Sequence, residues 1–512
     1  MNGSIVKKLP SDVLDEIVIA DQTQVLEYFE DDDYTDNDVA SLVEQCRSFD
    51  LIRAHNIYAN SVAHAAILPN VYDEIKEYPN EYKELESLTE DEKKKYTEEG
   101  LRVMAKGQFA LVLLAGGQAT RLNINRVKGN CDFGFPSHKT LFQRLMESIR
   151  YVQRLVKEHT GTEIALPIYI MTSQFNRKEI EVIFSTHNYY GLNQSQIVFF
   201  SQGSLPCVDD SGHIIMREKH KIALSPDGSG GVFPALDKNH FVFQWKQQGI
   251  EFVQIFGIDN AMEIPADPLF LGYSVLHQND MCVKCVKKCC PEEKLSVITQ
   301  YAGRPLLAIC SEMQYRQTCK RDENGEMVFR YGFVFDSLFR LDFLLAKCTA
   351  SSLPAYCHIV KKAIPYFDTI LGRTIKPINP NAYKMEYYLA DVLASTKKLG
   401  ILVIPRSEFA PIKNPPGKPV ASPEKAVAHI VQAQTAYLRE CGVRFEEPVP
   451  EKGVEVSPLV SLREEGLKRL SGVCLRVPCV VVDGSEVDWK GAEKVKEGVM
   501  RLKELAEGYS VY

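Results

Sequence analysis

The stretch Phe109–Ala115 is an unbroken apolar run that stops abruptly at Gly116-Gly117. A run of this length bounded by glycines reads as a strand buried on both faces, which is the signature of a sheet covered by helices on both sides. Two glycines at its carboxyl end let the backbone turn sharply and approach a ligand closely. Backbone N–H groups exposed there suit a phosphate or a base edge, and Arg121 and Lys128 follow within a dozen residues. A strand-end glycine loop carrying two cations fits a polyanionic ligand such as a nucleoside triphosphate.

The surrounding texture extends this reading. Ile168–Met171, Val198–Phe200 and Phe252–Ile258 are further short apolar runs. Between the first two strands, Leu141, Phe142, Leu145, Ile149, Val152 and Val156 recur at helical spacing, with Gly161 beyond the end. The expected fold class is α/β, a doubly wound, mainly parallel sheet, with a helical N-terminal domain over 1–107, a catalytic domain over 108–405 and a small α+β C-terminal domain over 406–512. In that last domain a helix is expected near Pro423–Cys441, a β-rich segment near Cys474–Val482 and a final charged helix near Trp489–Glu507. Ligands of such sheets bind at the carboxyl ends of strands, where both the glycine loop and Asp259-Asn260 fall.

Composition narrows the function classes. With 25% charged residues, 45% hydrophobic residues and a net charge of −7, the chain is ordinary for a soluble globular protein and unsuited to general nucleic-acid binding. No run approaches the roughly 20 apolar residues of a membrane span, and the opening residues Met1–Lys8 have no apolar core, so neither a membrane partner nor a secretory signal is expected. Fourteen cysteines without secretory features suit free thiols in the cytoplasm. The cluster Cys282, Cys285, Cys289, Cys290 invites a zinc reading. Cys282 and Cys285 would point to opposite faces of a regular strand, and no second Cys-x-x-Cys pair follows at finger spacing, so a structural thiol cluster is expected instead. Acidic runs such as Asp31–Asp33 read as solvated faces.

Several segments, taken in order, resemble the eukaryotic UDP-N-acetylglucosamine pyrophosphorylase family of UDP-sugar pyrophosphorylases. They are Ala115-Gly-Gly-Gln-Ala-Thr-Arg-Leu-Asn123, Val127-Lys-Gly129, Phe135-Pro-Ser-His-Lys-Thr-Leu-Phe-Gln143, Ser201-Gln-Gly-Ser-Leu-Pro206, Ala223-Leu-Ser-Pro-Asp-Gly-Ser-Gly-Gly231, Ile258-Asp-Asn260, Ser407-Glu-Phe-Ala-Pro-Ile-Lys-Asn414 and Glu455-Val-Ser-Pro-Leu459. Ala119 and Asn123 stand where the family has glycine. Ala382-Tyr-Lys-Met-Glu386 and Ile364-Pro-Tyr-Phe-Asp368 also match family segments and are assigned no direct chemistry.

The resemblance implies a uridylyltransferase that joins UTP and N-acetylglucosamine 1-phosphate, reversibly, with Mg²⁺ as cofactor. It implies Arg121, Lys128 and Lys413 as catalytic cations and Asp259 as metal ligand. Gly116, Gly117, Gln202, Gly203, Pro226, Gly228, Ser229 and Asp259 are the implied substrate-binding set, Gln202 and the backbone near Gly228 reading the uracil. The sugar side departs from the family at Ile309, Cys310 and Phe333. Two alternatives therefore stay open: another sugar 1-phosphate (N-acetylgalactosamine, glucose or galactose), or binding of UDP-sugars without catalysis. A dinucleotide-dependent oxidoreductase is disfavoured, because Gly-x-Gly-x-x-Gly is absent. A monomer or weak homo-oligomer is expected.

Overall fold

The computed structural model describes residues 3–29, 34–78, 82–117, 122, 124, 126–349, 353–445, 453–475, 479–483 and 509–511. The central sheet is built on eight strands: β1 (Tyr82–Glu84), β2 (Phe109–Leu114), β3 (Ile168–Thr172), β4 (Ile197–Ser201), β5 (Phe252–Gly257), β6 (Met281–Lys287), β7 (Tyr331–Arg340) and β8 (Leu399–Ile404). Their spatial order is β1-β8-β6-β7-β5-β2-β3-β4. All neighbours are parallel except at β7, which runs against both β5 and β6. The four strands expected from the apolar runs are all present. All six residues of β2, and all six of β5, are buried, as a strand covered on both faces requires.

Alternate side chains of these strands enter two separate cores, one on each face. Leu111, Leu113, Ile168 and Ile170 pack with helices α1 (Glu90–Ala105), α2 (Leu141–Thr160), α3 (Arg177–Thr186) and α4 (Pro268–Leu276). Ala110, Val112, Tyr169 and Met171 pack with Trp245, Phe233 and Leu344 on the other face. Helix α2 ends where expected, at Gly161, whose φ of 73° is the left-handed C-cap conformation glycine tolerates. Cys282 belongs to the first core and Cys285 to the second, so the two thiols do face opposite ways. Among the described residues no group of three potential ligands could hold a metal ion.

The N-terminal segment divides in its packing. Ile17, Leu42 and Ile57 form a core with Ile214, Met216, Ile222 and Met385 of the hairpins that rise above the sheet. β1 and α1 instead join the central sheet and the first of its two cores. In the C-terminal segment, α5 (Pro423–Glu440) and the strands Val454–Val456 and Cys479–Asp483 enclose their own core. The family-like segments at 135–143 and 455–459 turn out to be its anchor. The Ser137 backbone N–H donates to Glu455 Oε2 at 2.7 Å, and Lys139 Nζ donates to Ser457 Oγ at 2.9 Å and Glu147 Oε2 at 2.7 Å. The helix expected near Trp489–Glu507 and the run Asp31–Asp33 lie outside the described residues. No described helix is long and apolar enough to cross a membrane.

Candidate active site

A cleft of about 360 Å³ opens along the carboxyl ends of the parallel strands. The strand order fixes what lines it. Gln202 follows β4, Met171 is the last residue but one of β3, Gly116 and Gly117 follow β2, Asp259 follows β5, and Phe335 lies in the neighbouring part of β7. Pro226, Gly228 and Ser229, Lys384 and Glu386, and Ile412 and Lys413 complete the lining from above. Nine of the implied residues thus meet in one cavity: Gly116, Gly117, Lys128, Gln202, Pro226, Gly228, Ser229, Asp259 and Lys413. Gly203 is not part of that lining; its carbonyl accepts from the Asp227 N–H at 3.2 Å. Arg121, Ala119 and Asn123 lie outside the described residues.

At the β4 end, Gln202 is nearly buried and fixed. Its Nε2 donates to Asp227 Oδ1 at 2.9 Å and to the Gly228 carbonyl at 3.1 Å. With the donors spent, Oε1 is the acceptor left for a ligand, and it lies 2.2 Å from where a Cβ on Gly116 would sit. Glycine at 116 is therefore a requirement of close approach. Burial pushes the Asp227 carboxyl up to about 6, against the hydrogen bond from Gln202. Gly231 makes room for that carboxylate in the same way.

Charge gathers at the middle of the cleft. Lys128, only 7% exposed, pairs its ammonium with Asp259 Oδ1 and donates to the Ile412 carbonyl at 2.6 Å. Lys413 Nζ stands 4.0 Å from the other Asp259 oxygen, and the Asp259 side chain keeps 43% of its surface open. What carries Lys413 here is a zipper between two loops. The Ile412 N–H donates to the Asp259 carbonyl at 2.9 Å, the Ala261 N–H to the Ala410 carbonyl at 3.0 Å, and the Ala410 N–H to Asn260 Oδ1 at 2.9 Å. Arg463 braces this loop from beneath, gripping Glu408 at 2.8 and 3.1 Å and Asp267 at 2.9 and 2.7 Å. Burial would raise the Asp267 carboxyl, but Arg463 and Lys284 hold it well below the usual range.

The sequence reading missed Lys384, Glu386 and Phe335. The first two occupy the strand Ala382–Glu386, which pairs with His358–Lys362 above the sheet. Their segment had been given no chemistry. Their i, i+2 spacing in a strand whose intervening Met385 is fully buried is the signal that marks them as neighbours on one face. The sugar-side expectation also changes. Ile309, Cys310 and Phe333 do not line the cleft: the Ile309 N–H donates to Tyr72 Oη, the Cys310 N–H to Ser296 Oγ, and Phe333 is buried in the second core, with Ala110 and Val112.

Comparisons with known proteins agree with this architecture. The model of the UTP–glucose-1-phosphate uridylyltransferase family matches residues 54–465. The UDP-N-acetylglucosamine pyrophosphorylase of Saccharomyces cerevisiae is 34% identical over 398 residues, covering 76% of this chain and 81% of that protein. The human UDP-N-acetylhexosamine pyrophosphorylase-like protein 1 is 34% identical over 392 residues, covering 73% and 77%. The crystal structure of the uridine diphosphate N-acetylglucosamine pyrophosphorylase from Trypanosoma brucei superposes with a TM-score of 0.76 at 25% identity, covering 90% of this chain and 94% of that one.

Proposed function

The chain belongs to the UTP–glucose-1-phosphate uridylyltransferase family, and from that premise we propose that it forms UDP-N-acetylglucosamine and pyrophosphate, reversibly, from UTP and N-acetylglucosamine 1-phosphate. The observation that carries this is the order of groups along the cleft: a fixed amide at one end, two cations about one carboxylate in the middle, and a second set of polar groups opposite.

In this reading the uracil lies between Gly116 and Gly228. Gln202 Oε1 accepts the N3–H of uracil; cytosine offers an acceptor at that position, and the already committed Nε2 could not satisfy it. A phosphate oxygen of the sugar phosphate attacks the α-phosphorus of UTP in line. The bond to the bridging oxygen breaks, and pyrophosphate leaves with the electron pair. No covalent enzyme intermediate is needed, so the protein's task is positioning and charge neutralisation. Lys128 and Arg121 are assigned to the leaving pyrophosphate and Lys413 to the phosphate of the sugar. Lys384 adds a fourth cation from above.

Asp259 also fits Mg²⁺. It is an oxygen ligand open to the cleft beside the phosphate-binding cations, and Mg²⁺ is usually held by one or two carboxylates together with substrate phosphates. When bound, the ion would neutralise phosphate charge. A cytoplasmic location is part of the proposal and rests on the 14 free thiols, which suit a reducing compartment. So is action as a monomer or weak homo-oligomer.

The test is pyrophosphate release by purified protein with UTP and Mg²⁺, across N-acetylglucosamine, N-acetylgalactosamine, glucose and galactose 1-phosphates. Preferred release with N-acetylglucosamine 1-phosphate is expected. Preference for another sugar would reassign the substrate, and nucleotide binding without release would leave a binding protein.

A further inference from the structure

We propose that Phe335 is the residue that selects the sugar, an aromatic wall that favours an N-acetylated hexose 1-phosphate over its unsubstituted counterpart. This rests on the uridylyltransferase reading and deepens it.

Three observations place Phe335 in that role. The first is its position. Along the strand order the cleft runs from Gln202 after β4 to Asp259 after β5, and β7 is the next strand beyond β5. If the uracil occupies the Gln202 end and the phosphates the Lys128–Asp259–Lys413 cluster, whatever the substrate carries beyond its phosphates meets β7. Phe335 is the residue β7 contributes to the lining.

The second is its backbone. Phe335 has a φ of 71° inside a strand, a region bulky residues almost never adopt. The pairing with β6 explains how it gets there. Val283 pairs with Ser337 and Cys285 with Phe333, so three residues of β7 stand opposite Lys284 alone. This is a bulge, and bulges re-aim side chains beside functional sites. Beneath it, the fully buried Asp336 is pinned by Lys284 Nζ at 2.8 Å and Gln254 Nε2 at 2.9 Å. Asp336 is held fully buried while the adjacent Phe335 lines the cleft. Strain of this kind persists where surrounding structure enforces it, and it clusters at functional sites.

The third is the surface the ring rests on. A Cβ on Gly257 would lie 2.4 Å from Phe335 Cδ1, so the ring is laid against bare backbone two residues before Asp259. An apolar plane next to the phosphate cluster, with Glu386 on the same cleft as an acceptor for hydroxyls, suits a ring that presents both hydroxyls and an acetyl methyl.

The experiment uses Phe335→Ala and, to keep the bulge without strain, Phe335→Gly, each checked for an unchanged melting profile. KM and kcat are measured for UTP, N-acetylglucosamine 1-phosphate and glucose 1-phosphate. In parallel, equilibrium binding of UDP and UDP-N-acetylglucosamine is compared, a readout that needs no turnover. The expected result is a roughly tenfold loss of preference for the acetylated sugar, carried by its KM, with the KM for UTP and the affinity for UDP within about twofold. Equal losses on both sugars, an unchanged preference, or an equal weakening of UDP and UDP-N-acetylglucosamine would overturn the assignment. A wild-type chain that releases no pyrophosphate yet loses its UDP-N-acetylglucosamine affinity on substitution would overturn the transfer reading and leave the role of Phe335 standing.

Discussion

Lys128 and Asp259 stand 131 residues apart in the chain and form an ion pair in the middle of the cleft, with the Ile412 carbonyl 2.6 Å from the same ammonium. Lys128 is nearly buried while Asp259 stays open, so the cation is held in place before any phosphate arrives. Preorganised charge of this kind acts on the transition state without reorganisation at the moment of reaction. Lys128→Ala is expected to lower kcat by roughly 10²–10³-fold, the scale for one such contact. A rate close to wild type would remove Lys128 from the mechanism.

Asp259 is shared between two lysines and the proposed metal. Asp259→Asn keeps the shape and removes the charge. The expected outcome is a rise in the Mg²⁺ concentration needed for half-maximal rate. If the metal titration does not move, the carboxylate serves only to orient Lys128 and Lys413.

Gly116 offers a test confined to the nucleotide end. Its substitution by Ala would place a Cβ 2.2 Å from Gln202 Oε1 and displace the amide from its two bonds. Gly116→Ala is expected to raise the KM for UTP about tenfold, the scale of one lost hydrogen bond in a polar site, and leave the KM for the sugar phosphate nearly unchanged. Parallel changes in both would mean that the loop, not the amide, had been disturbed.

How much of this was legible in the sequence follows from what each feature depends on. The buried strands, the glycine loop and the cap at Gly161 are local: apolar runs, a break in them and a helical period suffice to find them. Lys413 was found through its motif, although the zipper with Asp259 and Asn260 that delivers it is invisible in one dimension. Phe335 was missed because its exposure depends on a bulge, and register is set by the partner strand rather than by β7 itself. Matching to the family's segment put the attention on Phe333 instead. Lys384 and Glu386 were missed because their strand reaches the cleft only through pairing with His358–Lys362. The anchor between Ser137, Lys139, Glu455 and Ser457 is polar and buried, a pattern hydrophobic periodicity cannot reveal.

His358 makes the last prediction, and it concerns pH. Its Nδ1 lies 3.1 Å from Glu312 and its Nε2 3.0 Å from Asp391, and Tyr72 Oη donates to Glu312 at 2.6 Å. Asp391 in turn accepts from the Tyr388 N–H at 2.8 Å, next to the Leu389 N–H that donates to Ser229 Oγ at 3.0 Å. Burial would lower the imidazole, but the two carboxylates raise it to about 9. The fold therefore binds this proton more tightly than the unfolded chain, whose histidine titrates near 6.5. Its contribution, about 3 kcal/mol by linkage, is complete below about pH 6.5 and is lost as pH rises through 9. Unfolding by urea at pH 7 and at pH 9.5 should show a stability gap between wild type and His358→Gln that is large at the lower pH and mostly gone at the higher. A gap that stays constant would mean that the imidazole is held neutral and acts through packing on Tyr388, against which its ring stacks at 4.1 Å.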